Sequence, residues 1–320
     1  MERDSYFDTL KWVLIVLVVY GHMISHCYYV GGTFSLAMYN TIYSFHMPLF
    51  VFLSGRYSQM SDRKKYLSGI LRLLQPYLLF QLLHMLYQMH QGGDFSVVQL
   101  LFWPIYIMWY LMSLILWRTI VYFAGGNFMA RYPKAVIALS FVIAMVVGWI
   151  KIELPLSIRP TLSFLPFFIL GYYSVKIDLK QRVRKVPLWA AVAVVLAVFA
   201  CFYFLLNRNM RVVFASFVYR TPLDVALRAA YLFVAMVMSV AVMRIVPGGK
   251  RMAQWGRRTL FTYLWHPFVM FFILWLPVPK ASDLWPVLYS AISVALLTWL
   301  SCYEFPNRLL TPITSWLKRK

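Results

Sequence analysis

A single histidine lies deep inside the first long apolar run of the chain. His22 falls within Leu10 to Ile24, where its neighbours are almost all Val, Leu and Ile. An ionisable ring at such a depth in a membrane segment is costly unless it has a task. Imidazole titrates near neutral pH, so the chemistry it offers is that of a general base or an acyl-accepting nucleophile. At 100° per residue, Lys11 and His22 differ by about 20° in azimuth. Asp8 and His26 fall within about 60° of Lys11 on the same side. Asp8, Lys11, His22 and His26 therefore make one polar stripe, which must face protein or a wet cavity. With entry near Leu10, His22 is roughly 18 Å deep, at or past the membrane midplane. The plainer readings are a structural cross-helix histidine at 22 and 26, and interfacial snorkelling at Lys11 and Asp8.

Other residues could join this chemistry. His46 precedes Pro48 and the pair Ser54-Gly55 in the segment Phe45 to Arg56. Proline frees a backbone carbonyl and can kink the helix, while Gly55 permits close helix approach. Arg72 stands ahead of Gln75-Pro76-Tyr77, where a guanidinium suits an anionic ligand or simply snorkels. His266 precedes Pro267, and Glu304 is the carboxylate of the last apolar segment. His84 and His90 read as interfacial. Cys27, Cys201 and Cys302 have neither metal nor disulfide spacing, no Cys/His/Asp set has ligand spacing, and no Gly-x-Ser-x-Gly elbow occurs.

These residues must be positioned by helices in a bilayer. The chain is 62% hydrophobic and 13% charged, too apolar for a soluble domain of 320 residues. About 20 apolar residues cross a bilayer. Ten segments qualify: 8–27, 41–59, 67–88, 98–122, 133–150, 161–176, 187–206, 224–246, 258–276 and 284–306. The expected fold is all-α and polytopic, a single integral-membrane domain over 1–320, with the first helix retained and no soluble domain appended. The formal charge of +21 does not indicate a nucleic-acid partner, because the cations cluster in short loops between apolar runs. With both termini cytoplasmic and ten alternating spans, only Lys151, Arg159, Arg208, Arg211, Arg220, Arg228 and Lys280 of the 31 Lys and Arg fall outside. That asymmetry follows the positive-inside rule.

Taken together, five segments resemble the acyltransferase 3 family of integral-membrane enzymes. They are Arg3-x-x-x-Phe7-Asp8-x-Leu10-Lys11 with ten residues between Lys11 and His22; Phe45–Gly55; Arg72 with Pro76-Tyr77; Trp109-Tyr110-Leu111 with Phe164 to Tyr172; and Gly256-x-x-Thr259-Leu260-Phe261-x-Tyr263-Leu264-x-His266-Pro267. The likeness runs from residue 3 to about 306. The chain is most similar to the short, fucose O-acetylase type without an esterase domain. Arg56 after the Ser-Gly pair, and a single arginine at the start of the third span, depart from the family pattern.

The resemblance implies an acyl-CoA donor, acetyl-CoA by default, on the cytoplasmic side of the plasma (inner) membrane. It implies a hydroxyl of a cell-surface glycan or its lipid-linked precursor as acceptor, and no metal. His22 matches the essential histidine and Lys11 its basic partner. Asp8 is expected to orient the neighbouring cations. Arg72, Lys11 and Arg56 are the expected donor-side residues; His46, His26, His266 and Trp109 are the expected acceptor-side ones. Direct transfer and an acyl-histidine relay are both open. A carrier or flippase also fits buried polar residues and a kinked helix, and a haem- or quinone-binding subunit would use paired histidines.

Overall fold

The computed structural model of the protein describes residues 4–27, 33–59, 62–206, 212, 216–273 and 284–303, without the side chains of His26 and Cys27. Among the described residues the chain is helical and has no strand. In chain order the α-helices are α1 (Ser5–Cys27), α2 (Thr33–Tyr43), α3 (His46–Arg56), α4 (Arg63–His90), α5 (Val97–Phe102), α6 (Trp109–Ala124), α7 (Gly126–Arg131) and α8 (Pro133–Val146). They continue with α9 (Ile158–Tyr173), α10 (Leu179–Arg184), α11 (Leu188–Ala200), α12 (Leu223–Ile245), α13 (Lys250–Gly256), α14 (Thr259–Ile273) and α15 (Leu284–Leu300).

Six described stretches are long and apolar enough to cross a membrane: Ser5–Ser25, Thr33–Arg56, Arg63–His90, Tyr106–Ala124, Leu188–Leu205 and Leu223–Ile245. Pro133–Trp149, Thr259–Ile273 and Leu284–Leu300 are shorter apolar helices. The continuous span expected over 98–122 is interrupted. Pro104 cannot continue the helix, so α5 stops at Phe102 and α6 starts after a 3-10 turn at Tyr106–Met108. The buried Gln81 side chain covers the break. Its Nε2 donates to the Trp103 carbonyl at 2.8 Å, and its Oε1 accepts from the Ile105 N–H at 3.0 Å. Irregular backbone at membrane depth requires such internal partners.

The chain packs as two compact units that interleave in sequence. The first comprises the described residues within Met1–Leu53, Ile177–Ala215 and Leu227–Glu304; the second comprises those within Ser54–Lys176 and Ser216–Ala226. In the first, α1 is the central element, packed on α2, α13, α14 and α15. Leu10, Leu14, Ile15, Met23 and Ile24 are wholly buried there. By contrast α11 exposes Leu188, Trp189, Val192 and Leu196. A helix that is apolar on every face and open to the outside is solvated by lipid.

In the second unit α6 lies between α4 and α9. Trp117 stacks on Phe168 at 5.4 Å and donates its indole N–H to the Thr161 carbonyl at 2.8 Å. Thr161 in turn donates to Ser113 Oγ at 2.7 Å. Gly55 permits a close approach of α3 to α9: a Cβ there would stand 2.0 Å from the Phe168 carbonyl oxygen.

Candidate active site

Two polar stations lie along α1, and both belong to the first unit. The nearer to its N-terminus is built on Asp8, whose side chain is wholly buried. Lys11 Nζ approaches its Oδ1 at 3.2 Å and Arg257 Nε its Oδ2 at 3.6 Å. One helical turn brings Lys11 to Asp8; a glycine brings Arg257. A Cβ on Gly256 would fall 1.8 Å from the Asp8 carbonyl oxygen, so only glycine lets the end of α13 lie on the α1 backbone. Thr9 Oγ1 donates to the Gly249 carbonyl at 3.0 Å, and Trp12 packs on Trp255 at 5.3 Å. A buried carboxylate between two cations is compensated in charge, whereas removing the cations would leave a desolvated carboxylate.

About 21 Å further along α1, fourteen residues on, stands the second station. The His22 and His266 rings are 5.2 Å apart between centroids, and Tyr43 lies edge-on to His22 at 6.2 Å. Tyr43 Oη is 3.5 Å from His22 Nδ1. His46 extends the group, 4.7 Å from the Tyr43 ring. His46 and His266 are buried, while His22 is half-buried. The turn between α2 and α3 positions His46 by giving its Nδ1 the Ile42 carbonyl at 2.7 Å. His266 Nδ1 is held on the Tyr263 carbonyl, also at 2.7 Å. A carbonyl can only accept, so each of these rings carries its proton on Nδ1 and presents Nε2 as the acceptor nitrogen when neutral.

The two stations also fix direction. Arg257 meets Asp8 and His266 meets His22, so the chain from α13 through α14 runs parallel to α1.

Of the residues expected from the sequence, Asp8, Lys11, His22, His46 and His266 gather along α1 in this way. His26 is on α1, but its side chain lies outside the described residues, as does Glu304. Arg56, Arg72 and Trp109 belong to the second unit. There Arg56 Nη1 donates to the Ser174 carbonyl at 2.6 Å and to Ser174 Oγ at 3.1 Å. Trp109 stacks on Phe164 at 5.5 Å. Arg72 is exposed on α4. His84, expected at the interface, is buried, 6.1 Å from the Tyr106 ring.

Several residues escaped the sequence reading. Tyr43 carries no signal beyond being aromatic in an aromatic-rich segment. Arg257 falls in the turn between α13 and α14, where helical periodicity places nothing. Arg118 in the second unit donates from Nε to Ser58 Oγ at 3.2 Å and from Nη1 to the Gly69 carbonyl at 3.1 Å. Ser54 Oγ and Tyr110 Oη share a hydrogen bond at 2.5 Å. Arg228, one of the cations assigned to the outside, is wholly buried in α12. Among the described residues no group of three His, Cys, Asp or Glu side chains could hold a metal ion.

Comparison with known proteins places this arrangement. A family model described as an acyltransferase domain matches residues 4–308. The nodulation protein NolL of Mesorhizobium japonicum is 29% identical over 217 residues, covering 63% of this chain and 56% of that protein. The nodulation protein NolL of Sinorhizobium fredii is 46% identical over 56 residues, covering 17% of this chain and 15% of that protein. The match thus spans little more than half the length of the first of these relatives. No solved structure matches the chain. A family match that takes in both stations of α1 and nearly everything between them makes the chain a member of the acyltransferase 3 family.

Proposed function

We propose that the protein transfers an acyl group, acetyl by default, to a hydroxyl of a surface glycan or its lipid-linked precursor, with His22 as the proton-accepting group. The observation that carries this reading is the cluster at the second station: a half-buried histidine on a membrane helix, 5.2 Å from His266 and with Tyr43 Oη 3.5 Å from its Nδ1. Ten membrane helices with both termini cytoplasmic agree with the charge asymmetry, and the parallel course of α1 and α14 is consistent with the odd number of crossings, seven, that this topology puts between them.

In this reading the CoA thioester supplies the activated acyl group from the cytoplasmic side of the plasma membrane. The donor is rich in phosphate, and Arg56 and Arg72 have the chemistry to hold it, since guanidinium groups pair bidentately with phosphate. Lys11 belongs to the donor side, oriented by Asp8. With Nδ1–H directed to Tyr43 Oη, His22 holds its lone pair on Nε2. There it takes the proton of the acceptor hydroxyl as that oxygen bonds to the acyl carbon, and returns it to the departing sulfur. The Nε2 atoms of His46 and His266 are suited to hydrogen-bond an acceptor with several hydroxyls, and His26 and Trp109 complete the proposed acceptor side.

The test uses the purified full chain in proteoliposomes with acetyl-CoA inside and candidate glycans outside. Thiol release that depends on the acceptor, with matching O-acetyl ester on the glycan, supports the reading. Glycan movement without thiol release would point to a carrier and sink it.

A further inference from the structure

A basic cavity of about 250 Å³ opens in the first unit, away from the histidine cluster. Its lining combines three cations, Lys180 and Arg184 of α10 and Arg244 of α12, with Tyr6, Leu188 and Val246 among its other walls. The cavity is built rather than incidental. Tyr6 Oη donates to the Met243 carbonyl, which fixes α1 against α12. Arg244 Nε donates to the Val186 carbonyl at 2.7 Å, which orients its guanidinium. Lys180 Nζ sits 5.9 Å over the Tyr6 ring. Asp178 caps α10 by accepting from the Gln181 N–H at 2.9 Å and so holds Lys180 and Arg184 in place. None of the lining residues is a carboxylate; the nearby Asp4 accepts from the Tyr6 N–H at 2.8 Å, and three cations in the wall leave a net charge that favours an anion.

Its surroundings choose the anion. Leu188 belongs to the wall and also opens the exposed apolar ridge of α11, which continues through Val192 and Leu196 at four-residue steps. Each step advances about 6 Å along the helix, so a charged pocket leads directly into a lipid-facing track. At about 250 Å³ the cavity lies below the roughly 300–1,000 Å³ of sites that enclose a whole drug-sized ligand. It suits a headgroup with its chains outside. Basic pockets between membrane helices are a recurrent form of anionic-lipid site.

We propose that this cavity binds the phosphodiester headgroup of an anionic phospholipid, with an acyl chain lying along Leu188, Val192 and Leu196. The site goes beyond the acyl-transfer reading and does not depend on it. The leaflet is the cytoplasmic one if the orientation proposed above holds.

The experiment is native mass spectrometry of the purified full chain in detergent, titrated with phosphatidylglycerol or phosphatidylcholine. Wild type should retain phosphatidylglycerol at least tenfold better. The variant Lys180→Gln/Arg184→Gln should lose roughly ten- to thirtyfold of that preference, on the basis of about 1 kcal/mol per basic residue near an anionic surface. The variant Lys64→Gln/Lys65→Gln, which removes two cations at the start of α4, should keep it. Wild type without preference, or equal losses in both variants, would overturn the proposal, and the first of these needs no variant to fold. Displacement of phosphatidylglycerol by free CoA would also overturn it, by assigning the cavity to a soluble phosphate. None of these outcomes reads catalysis, so failure here leaves the acyl-transfer test untouched.

Discussion

The Nδ1–H of His266 donates to the very carbonyl that Pro267 strips of its helical donor. Tyr263 stands four residues before Pro267, so its oxygen would ordinarily accept an N–H that proline lacks; His266 fills the gap at 2.7 Å. One residue thereby repairs the helix and fixes its own tautomer. Pro267→Ala restores a competing N–H. The variant should remain folded while turnover falls by up to about a hundredfold, the penalty for a small misplacement of a reacting group. Turnover measured alongside the thermal midpoint checks this; an unchanged rate would separate His266 from the reaction.

His22→Ala should lower acyl transfer by about 10²–10⁴-fold, the usual contribution of a positioned base. The unfolding midpoint should change little, because the ring is half-buried. Full activity in a folded H22A protein would remove His22 from its proposed role.

Tyr43→Phe keeps the ring that packs at 4.2 Å on Tyr39 and at 4.7 Å on His46. Only the hydroxyl 3.5 Å from His22 Nδ1 is lost. One hydrogen bond of ordinary net strength corresponds to roughly a three- to tenfold fall in rate. The expected signature is a lower kcat at constant KM; a change in KM alone would make Tyr43 a binding residue.

Asp8→Asn leaves Lys11 and Arg257 facing a neutral side chain. Both cations reach water, so the destabilisation should be about 1–3 kcal/mol, short of the 3–5 kcal/mol of a fully buried broken pair. Adding Lys11→Met should recover part of that loss. A double-mutant cycle on the denaturation midpoints measures the coupling, and strict additivity would show the pair to be energetically idle.

Gly256→Ala places a methyl 1.8 Å from the Asp8 carbonyl oxygen. It should cost about 1–3 kcal/mol or more as α13 is pushed off α1. Gly126→Ala, with nothing within 4 Å of the new atom, should be nearly neutral. Folded yield of the two variants in detergent distinguishes them, and equal yields would contradict the packing.

The helices of this protein were legible in its sequence because apolar runs of the right length have few other fates. Asp8, Lys11 and His22 were legible together because helical periodicity places them on one side of a single helix. Periodicity says nothing across a turn, which hid Arg257 behind the break at the end of α13. Nor does it report which helices meet, so the approach of Tyr43 to His22 was invisible. Pro104 stands in the sequence, yet the break it makes at 103–105 is invisible to hydropathy, because the flanking residues remain apolar and hydropathy does not register the missing backbone donor. The same blindness hid the cavity beside Tyr6, whose walls come from three distant stretches of chain.

The pairing of Asp8 with Arg257 has a temporal side. A ribosome adds about 5–20 residues per second, so on the order of 10–50 s separate the synthesis of the two. Throughout that interval α1 is already made while its carboxylate and its imidazole still await α13 and α14. Until the last helices emerge, the nascent helix needs another partner for these groups, such as water, a headgroup or an insertion factor.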